Sequence, residues 1–334
     1  MQPLTQPGAF RVILEAAVAR TRNELFVACS NSEGRSDGFA RLCWFREEKS
    51  PPWTYFDLPV AIRNATLLSP NSHSVTARLP TAYVFLTEEG NVIHLPIGHQ
   101  PESERIVGSG LWNDDSIGWG YLTAIAQIGD CLHACGGGGQ VYRRSVTGVW
   151  EHIDEGLLRA KSDRDGLSLS AIAGPNEQEI YVGGWHVNVD DGVLLCRDSH
   201  GWAAVAHDIP SIGDIHVEHE GSVWACGRRG TLLHGNCTDG FKSLLEPNQS
   251  RTYLSVTIYN GQVFLATNLG LYTYAGGSVS PVKTGLAPEY KDGHILQVVD
   301  GVLWAVGYED IVRFDGRQWE RITFPGNPPL VLGN

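Results

Sequence analysis

The sequence predicts an all-β fold, a seven-bladed β-propeller of four-stranded antiparallel blades, and three observations carry that prediction. The first is a phrase that recurs seven times: an aliphatic residue, a large ring, then small or apolar residues. The copies are Leu25-Phe26-Val27-Ala28, Val84-Phe85-Leu86-Thr87, Leu132-His133-Ala134-Cys135, Ile180-Tyr181-Val182-Gly183, Val223-Trp224-Ala225-Cys226, Val263-Phe264-Leu265-Ala266 and Leu303-Trp304-Ala305-Val306. Their first residues lie 59, 48, 48, 43, 40 and 40 residues apart. A period in the forties built from strand-like runs is what one four-stranded blade per repeat requires. The second observation is that short apolar runs are divided by Gly-containing turns, as in Asn260-Gly261, Asp300-Gly301 and Asp315-Gly316. The third is that no extended stretch keeps a 3.6-residue apolar period, so long helices are not expected.

Taken in order, the blades fall at about 12–58, 63–106, 121–154, 168–206, 212–245, 253–283 and 294–323, within a single domain over 1–334. The last three are clearest. Strand runs at 254–259 and 262–267 flank Asn260-Gly261, a pair preferred in type I′ hairpin turns, and the next repeat follows the same plan. Near-continuous apolar runs in each second strand imply that neighbouring blades cover both faces. A second column of rings, Trp53, Trp150, Trp202, Phe241 and Trp319, follows the turn from third to fourth strand and should cap the blade-to-blade core. The second blade is the least regular, because 70–80 reads as a loop. Either 9–11 or 328–332 is expected to supply a ring-closing strand, since an open sheet edge invites pairing with other chains.

Composition sets the outer limits. The 334 residues are 42% hydrophobic and 19% charged, with 39 Gly, 10 Trp and one Met. No run reaches the roughly 18 apolar residues of a membrane helix, and the N-terminus lacks the basic-then-apolar pattern of a secretory signal. The seven cysteines, an odd set lying mostly inside strand-like runs, are expected to be free thiols in a reducing compartment. The chain is accordingly expected in the cytoplasm. A net charge of −12 repels nucleic acid and anionic lipid and favours cationic partners. Neither nucleic acid nor membrane is therefore expected as a direct partner.

Several groups of residues invite a chemical reading, and the repeat explains most of them. Cys131, His133 and Cys135 alternate on one strand as zinc ligands would, but His133 stands in the ring column and Cys135 aligns with Cys226, Ala266 and Val306. Core packing is the expectation, with no metal and no cofactor. Gly136-Gly137-Gly138-Gly139 lacks the Lys and Ser/Thr of a phosphate-binding loop and aligns with Gly227-Arg228-Arg229-Gly230, so it reads as a turn. Asp198-Ser199-His200-Gly201-Trp202 and Asp315-Gly316-Arg317-Gln318-Trp319 only loosely echo the Asp boxes of sialidases. No catalytic residue is assigned. A carbohydrate-active or lactonase-like enzyme, needing a carboxylate pair near a central channel, is the alternative, as is a scaffold subunit.

Loops joining one blade to the next, together with the turns between second and third strands, share one side of a propeller and commonly bind partners. Four are long: 108–121 with Trp112, Asp114, Asp115 and Trp119; 154–167 with Arg159, Lys161, Asp163, Arg164 and Asp165; 185–191 with Trp185, His186, Asp190 and Asp191; and 284–294 with Glu289 and Tyr290. Rings beside carboxylates suit a basic protein partner. Arg228 and Arg229, on an adjacent turn, would pair with neighbouring carboxylates or with one on the partner.

In repeat shape the chain resembles WD40-like bacterial β-propellers over nearly its whole length, without the Trp-Asp dipeptide or the regular Gly-His start of that family. As a compact acidic propeller it is also similar to immunity proteins of bacterial contact-delivered (type VI-like) toxins. That second resemblance implies a non-enzymatic binder whose acidic, ring-bearing loops mask a basic, nuclease-like toxin or effector.

Overall fold

The computed structural model describes residues 1–4, 11–31, 38–69, 80–159, 166–189, 191–219, 221–246 and 250–327. Seven antiparallel sheets follow one another along the chain, six of them four-stranded with strands in simple sequential order. The fold is the expected seven-bladed β-propeller. Blade limits agree with the repeat to within a few residues: the first blade runs 12–58, the third 122–152, the seventh 293–321. The second blade keeps all four strands, Ile62–Leu68, Ala82–Thr87, Asn91–Pro96 and Glu102–Arg105, with the loop-like 70–79 outside the described residues. The chain divides into two compact units, residues 1–62 with 257–334, and residues 63–256.

Within the 63–256 unit, the second strand of the third blade shows why those runs are continuously apolar. Along Cys131–Gly136, Leu132 and Ala134 pack against Val84 and Leu86 of the blade before, while Cys135 packs against Leu169 and Val182 of the blade after. Alternation in a strand sends successive side chains to opposite faces, and here both faces meet another sheet. All seven rings of the column are buried. Outer rings reach back to the preceding blade: the Trp202 indole N–H donates to the Ile153 carbonyl at 2.6 Å and that of Trp150 to Glu104 at 3.2 Å. An aromatic body covers apolar surface while its one N–H finds an acceptor.

First strands carry a recurrent bulge, between Leu122 and Ala124, Leu169 and Ala171, and Ile212 and Asp214. In the first two the extra residue, Thr123 or Ser170, turns its hydroxyl toward the next blade; in the third it is Gly213, and the adjacent Asp214 makes the link. Thr123 donates to the Leu169 carbonyl at 2.5 Å, Ser170 to that of Ile212 at 2.6 Å, and Asp214 accepts from Ser255 Oγ at 2.7 Å and from the Val256 N–H at 3.0 Å. Separate sheets share no ladder, so these polar links set the spacing between blades. We expect Asp214→Ala to cost about 2 kcal/mol or more, because three donors, the third being the Ile215 N–H at 2.9 Å, lose their acceptor, and Asp214→Asn to cost less, because one oxygen remains. Urea midpoints of the two variants measure the difference.

The unit formed by 1–62 and 257–334 holds the first and seventh blades and the sixth from Thr257 onward. Its first blade has a fifth strand, Gln2–Pro3, paired with Thr54 and Tyr55. This edge strand is neither of the two anticipated ring closers; residues 9–10 and 328–332 lie outside the described residues. The first and seventh blades are also tied by Asn327, whose amide exchanges two hydrogen bonds with the Val12 backbone (3.0 and 2.6 Å), and by the Trp53 indole on the Thr323 carbonyl at 2.9 Å.

The cysteine expectation needs one correction. Cys196 and Cys237 are disulfide-bonded, with Cα atoms 5.8 Å apart, whereas Cys29, Cys43, Cys131, Cys135 and Cys226 are buried thiols. Positions 41 residues apart fall opposite one another only because consecutive blades pack face to face.

Candidate functional site

The loops of the 63–256 unit form one continuous rim. Backbone hydrogen bonds run along it: Leu122 N–H to Glu88 O, Gly137 N–H to Tyr121 O, Gly139 N–H to Leu167 O, Val187 N–H to Gly166 O, Gly192 N–H to Ile209 O, and Arg228 N–H to Ser211 O. Each bond joins a second-to-third-strand turn to the segment leading into the next blade. The glycine run belongs to this rim as a turn. Gly138 and Gly139 hold φ of +70° and +78°, and a Cβ on Gly139 would stand 2.5 Å from the Leu157 carbonyl. Left-handed backbone and close approach both demand glycine there.

The 108–121 loop is built around two side chains that the sequence reading left unassigned. Glu89 sits in the turn after Ala82–Thr87, and its Oε2 accepts the N–H groups of Leu111 and Trp112, each at 3.0 Å, and the Asn113 amide at 2.9 Å. Arg105 donates to the carbonyls of Glu89 and Ser109, to Ser109 Oγ and to Asp115 at 2.9 Å. Gly110 permits the crossing, since a Cβ there would meet Glu89 Oε2 at 2.4 Å. The result is a loop closed by charge-assisted hydrogen bonds. Membership of the second-to-third-strand turn is the signal by which Glu89 was findable.

On this scaffold Trp112 is 80% exposed, with its indole N–H held by the Tyr121 hydroxyl at 2.7 Å. Val107 and Ile117 of the same segment are 69% and 63% exposed. Asp114 faces solvent. Asp115 does not stand free for a partner: Arg105 and the Gly108 N–H take its two oxygens, and the Arg105 hydrogen bond lowers its pKa. Trp119 is half-buried, edge-on to His152 at 5.3 Å between centroids.

Further along the rim, Trp185 and His186 end the strand Glu179–His186 and are half-buried, Asp191 is exposed, and Asp190 lies outside the described residues. So do Lys161, Asp163, Arg164 and Asp165, while Arg159 donates its N–H to Gly138 O at 2.8 Å. Arg228 is exposed and Arg229 half-buried with φ +54°. In the other unit Tyr290 departs from expectation. It is 3% exposed, packed with Tyr259, Phe264 and Leu271, and burial raises its hydroxyl pKa well above the usual value. A ring sealed in a core offers no anchor to a partner.

The Cys131, His133 and Cys135 positions behave as core. His133 is fully buried with Nδ1 at 3.2 Å from the Cys131 carbonyl, and Cys135 Sγ points to the Ala171 carbonyl at 3.6 Å. Among the described residues no group of three or more His, Cys, Asp or Glu side chains is arranged to hold a metal ion, and no helix is long and apolar enough to cross a membrane.

No family model matches the chain. By fold it is similar to the WD40 propeller domain of Doa1 (TM-score 0.60, 11% identity, 93% of this chain and 95% of that one) and to YCF48 from Cyanidioschyzon merolae (0.58, 10%, 92% and 97%). A puromycin-hydrolysing peptidase of Mycobacterium tuberculosis matches with TM-score 0.62 at 10% identity, over 96% of this chain and 56% of that one. Such likenesses carry the architecture alone, which serves catalytic and non-catalytic proteins alike. In sequence, 243 residues are 31% identical to the immune protein Tsi7 of Pseudomonas aeruginosa, covering 72% of this chain and 75% of that protein. With its propeller architecture, that shared sequence places the chain in the family of the immune protein Tsi7.

Proposed function

We propose that this chain is a non-enzymatic immunity protein that binds a toxin and masks it. The kinship with an immune protein over three quarters of that protein's length carries the reading. The rim of the 63–256 unit is the surface we assign to the toxin, centred on Trp112 and Asp114 and extending through Trp119, Trp185, His186, Asp191 and Arg228. A pinned, exposed ring loses little freedom on binding, and Trp is preferred among interface anchors. The toxin is basic and nuclease-like in this reading: a net charge of −12 on the chain draws a cationic partner and opposes direct binding to nucleic acid or anionic membrane. We place the protein in the cytoplasm, where five unpaired cysteines stay reduced.

Capture of the tagged chain's partner from the native cell, followed by expression of that partner alone and together with this chain, tests the proposal. The expected result is growth arrest by the partner alone and full growth when both are made. A captured protein without toxicity, or toxicity that this chain leaves untouched, rejects it. Association should also slow as salt rises, because exposed charges are screened beyond about 8 Å at physiological ionic strength; stopped-flow rates indifferent to salt exclude charge steering. Cell fractionation checks the compartment.

A further inference from the structure

The seven cysteines fall into two chemical groups. Burial pushes the thiols of Cys131 and Cys135 up to about 11 and about 12, and those of Cys29 and Cys226 well above the usual range, so all four stay protonated and unreactive. Cys29 and Cys43 have sulfurs 4.0 Å apart, yet both are sealed in the core. The remaining pair is different. Cys196 lies buried in Gly192–Asp198, the third strand of the fourth blade, and Cys237 is half-buried just after Leu232–Asn236, the third strand of the fifth. These sheets share no ladder; between them stand the apolar contacts of Tyr181, Leu194, Leu233 and Phe241. The Cys237 N–H is held by the Tyr181 hydroxyl at 2.8 Å, which itself donates to Glu179, so Cys237 is positioned by the opposing blade. A Cα separation of 5.8 Å needs no backbone movement to close or open the bond.

We propose that Cys196 and Cys237 form a thiol–disulfide switch that staples the fourth blade to the fifth, closed by a low-molecular-weight disulfide and opened by a low-molecular-weight thiol. The accessible Cys237 reacts first. Its thiolate attacks one sulfur of the small disulfide, giving a mixed disulfide and releasing one small thiol; the thiolate of Cys196 then attacks the Cys237 sulfur, forming the protein disulfide and releasing the second. Two protein thiols are oxidised and one small disulfide is reduced to two thiols, and the reverse exchange restores the start. The closed form ties chain positions 41 residues apart and so restricts the unfolded chain. Gly192 enters its strand from the loop rim and Cys196 lies toward the far end, so the staple acts on stability and leaves the rim open. This inference does not rest on the immunity reading.

The test uses the purified full chain equilibrated across ratios of reduced to oxidised glutathione, with non-reducing peptide mapping and thermal melts at each ratio. We expect one linked peptide pair, containing Cys196 and Cys237, to accumulate with oxidation. The melting temperature should rise by about 5 °C in step, and dithiothreitol should reverse both. Cys237→Ser and Cys196→Ala should melt with the reduced wild type at every ratio; the wild-type series decides the matter even where a variant folds poorly. Thiols that persist at every ratio, a linkage that persists in fully reduced glutathione, or a melting temperature that ignores the linkage overturns the switch.

Discussion

Trp112→Ala weakens binding of the captured toxin by about 30-fold or more, while the melting temperature of the isolated chain barely moves. Both halves follow from position. An exposed side chain contributes little to the fold, so truncation should cost within about 0.5 kcal/mol. At an interface centre, a ring whose orientation is already fixed contributes about 2 kcal/mol or more. Trp112 has that fixed orientation, with its indole N–H on Tyr121 and its backbone N–H on Glu89, and the proposed toxin surface is centred on it. Glu89→Ala should weaken binding too, through loss of the anchor's support, and in a Trp112→Ala background it should add little. Surface-immobilised binding assays of the two singles and the double measure the coupling. Wild-type affinity in Trp112→Ala shows that another face is used.

Acid should loosen the fold well before most carboxylates are protonated. His133 occupies a ring position, and burial pushes its pKa down to about 4; His294, stacked on Tyr308 at 4.1 Å, is lowered by burial to about 4 as well. Unfolding lets each imidazole take up a proton near pH 6.5, so between that value and about 4 the unfolded chain binds more protons than the native one. Stability is complete above pH 6.5 and falls as pH drops through that window, by roughly 2 kcal/mol at pH 5 for His133. Glu104 extends the loss downward. Burial raises its pKa, but the Arg144 hydrogen bonds and the His94 imidazole 3.5 Å away outweigh that and bring it to about 2, so its contribution holds above about 4.5 and disappears toward 2. Urea midpoints at pH 7.5 and 5 check the sign. His133→Phe, which restores the column's usual residue, should flatten the dependence; an unchanged slope would show that His133 is not its source.

The repeated ring phrase located all seven blades because each second strand must present apolar atoms to two neighbours at once, and that demand is written residue by residue. The same register identified His133 and Cys135 as core and the glycine run as a turn. A compact acidic propeller pointed to an immunity protein, and the family the chain belongs to agrees with that much. Prediction faltered where a side chain's state depends on a distant segment. Asp115 looked like a free carboxylate, yet Arg105 holds it. Tyr290 looked like a loop aromatic, yet it lies among Tyr259, Phe264 and Leu271.

Periodicity and composition were therefore sufficient for blade number, blade limits, the ring column and the net charge of −12, all of which are local or summed properties of the residues. Folding alone decided that Glu89 braces Trp112 from 23 positions away, that Cys196 meets Cys237, and which rings reach water. Those outcomes depend on how one sheet stacks against the next, and that stacking pairs atoms that no spacing within a repeat brings together.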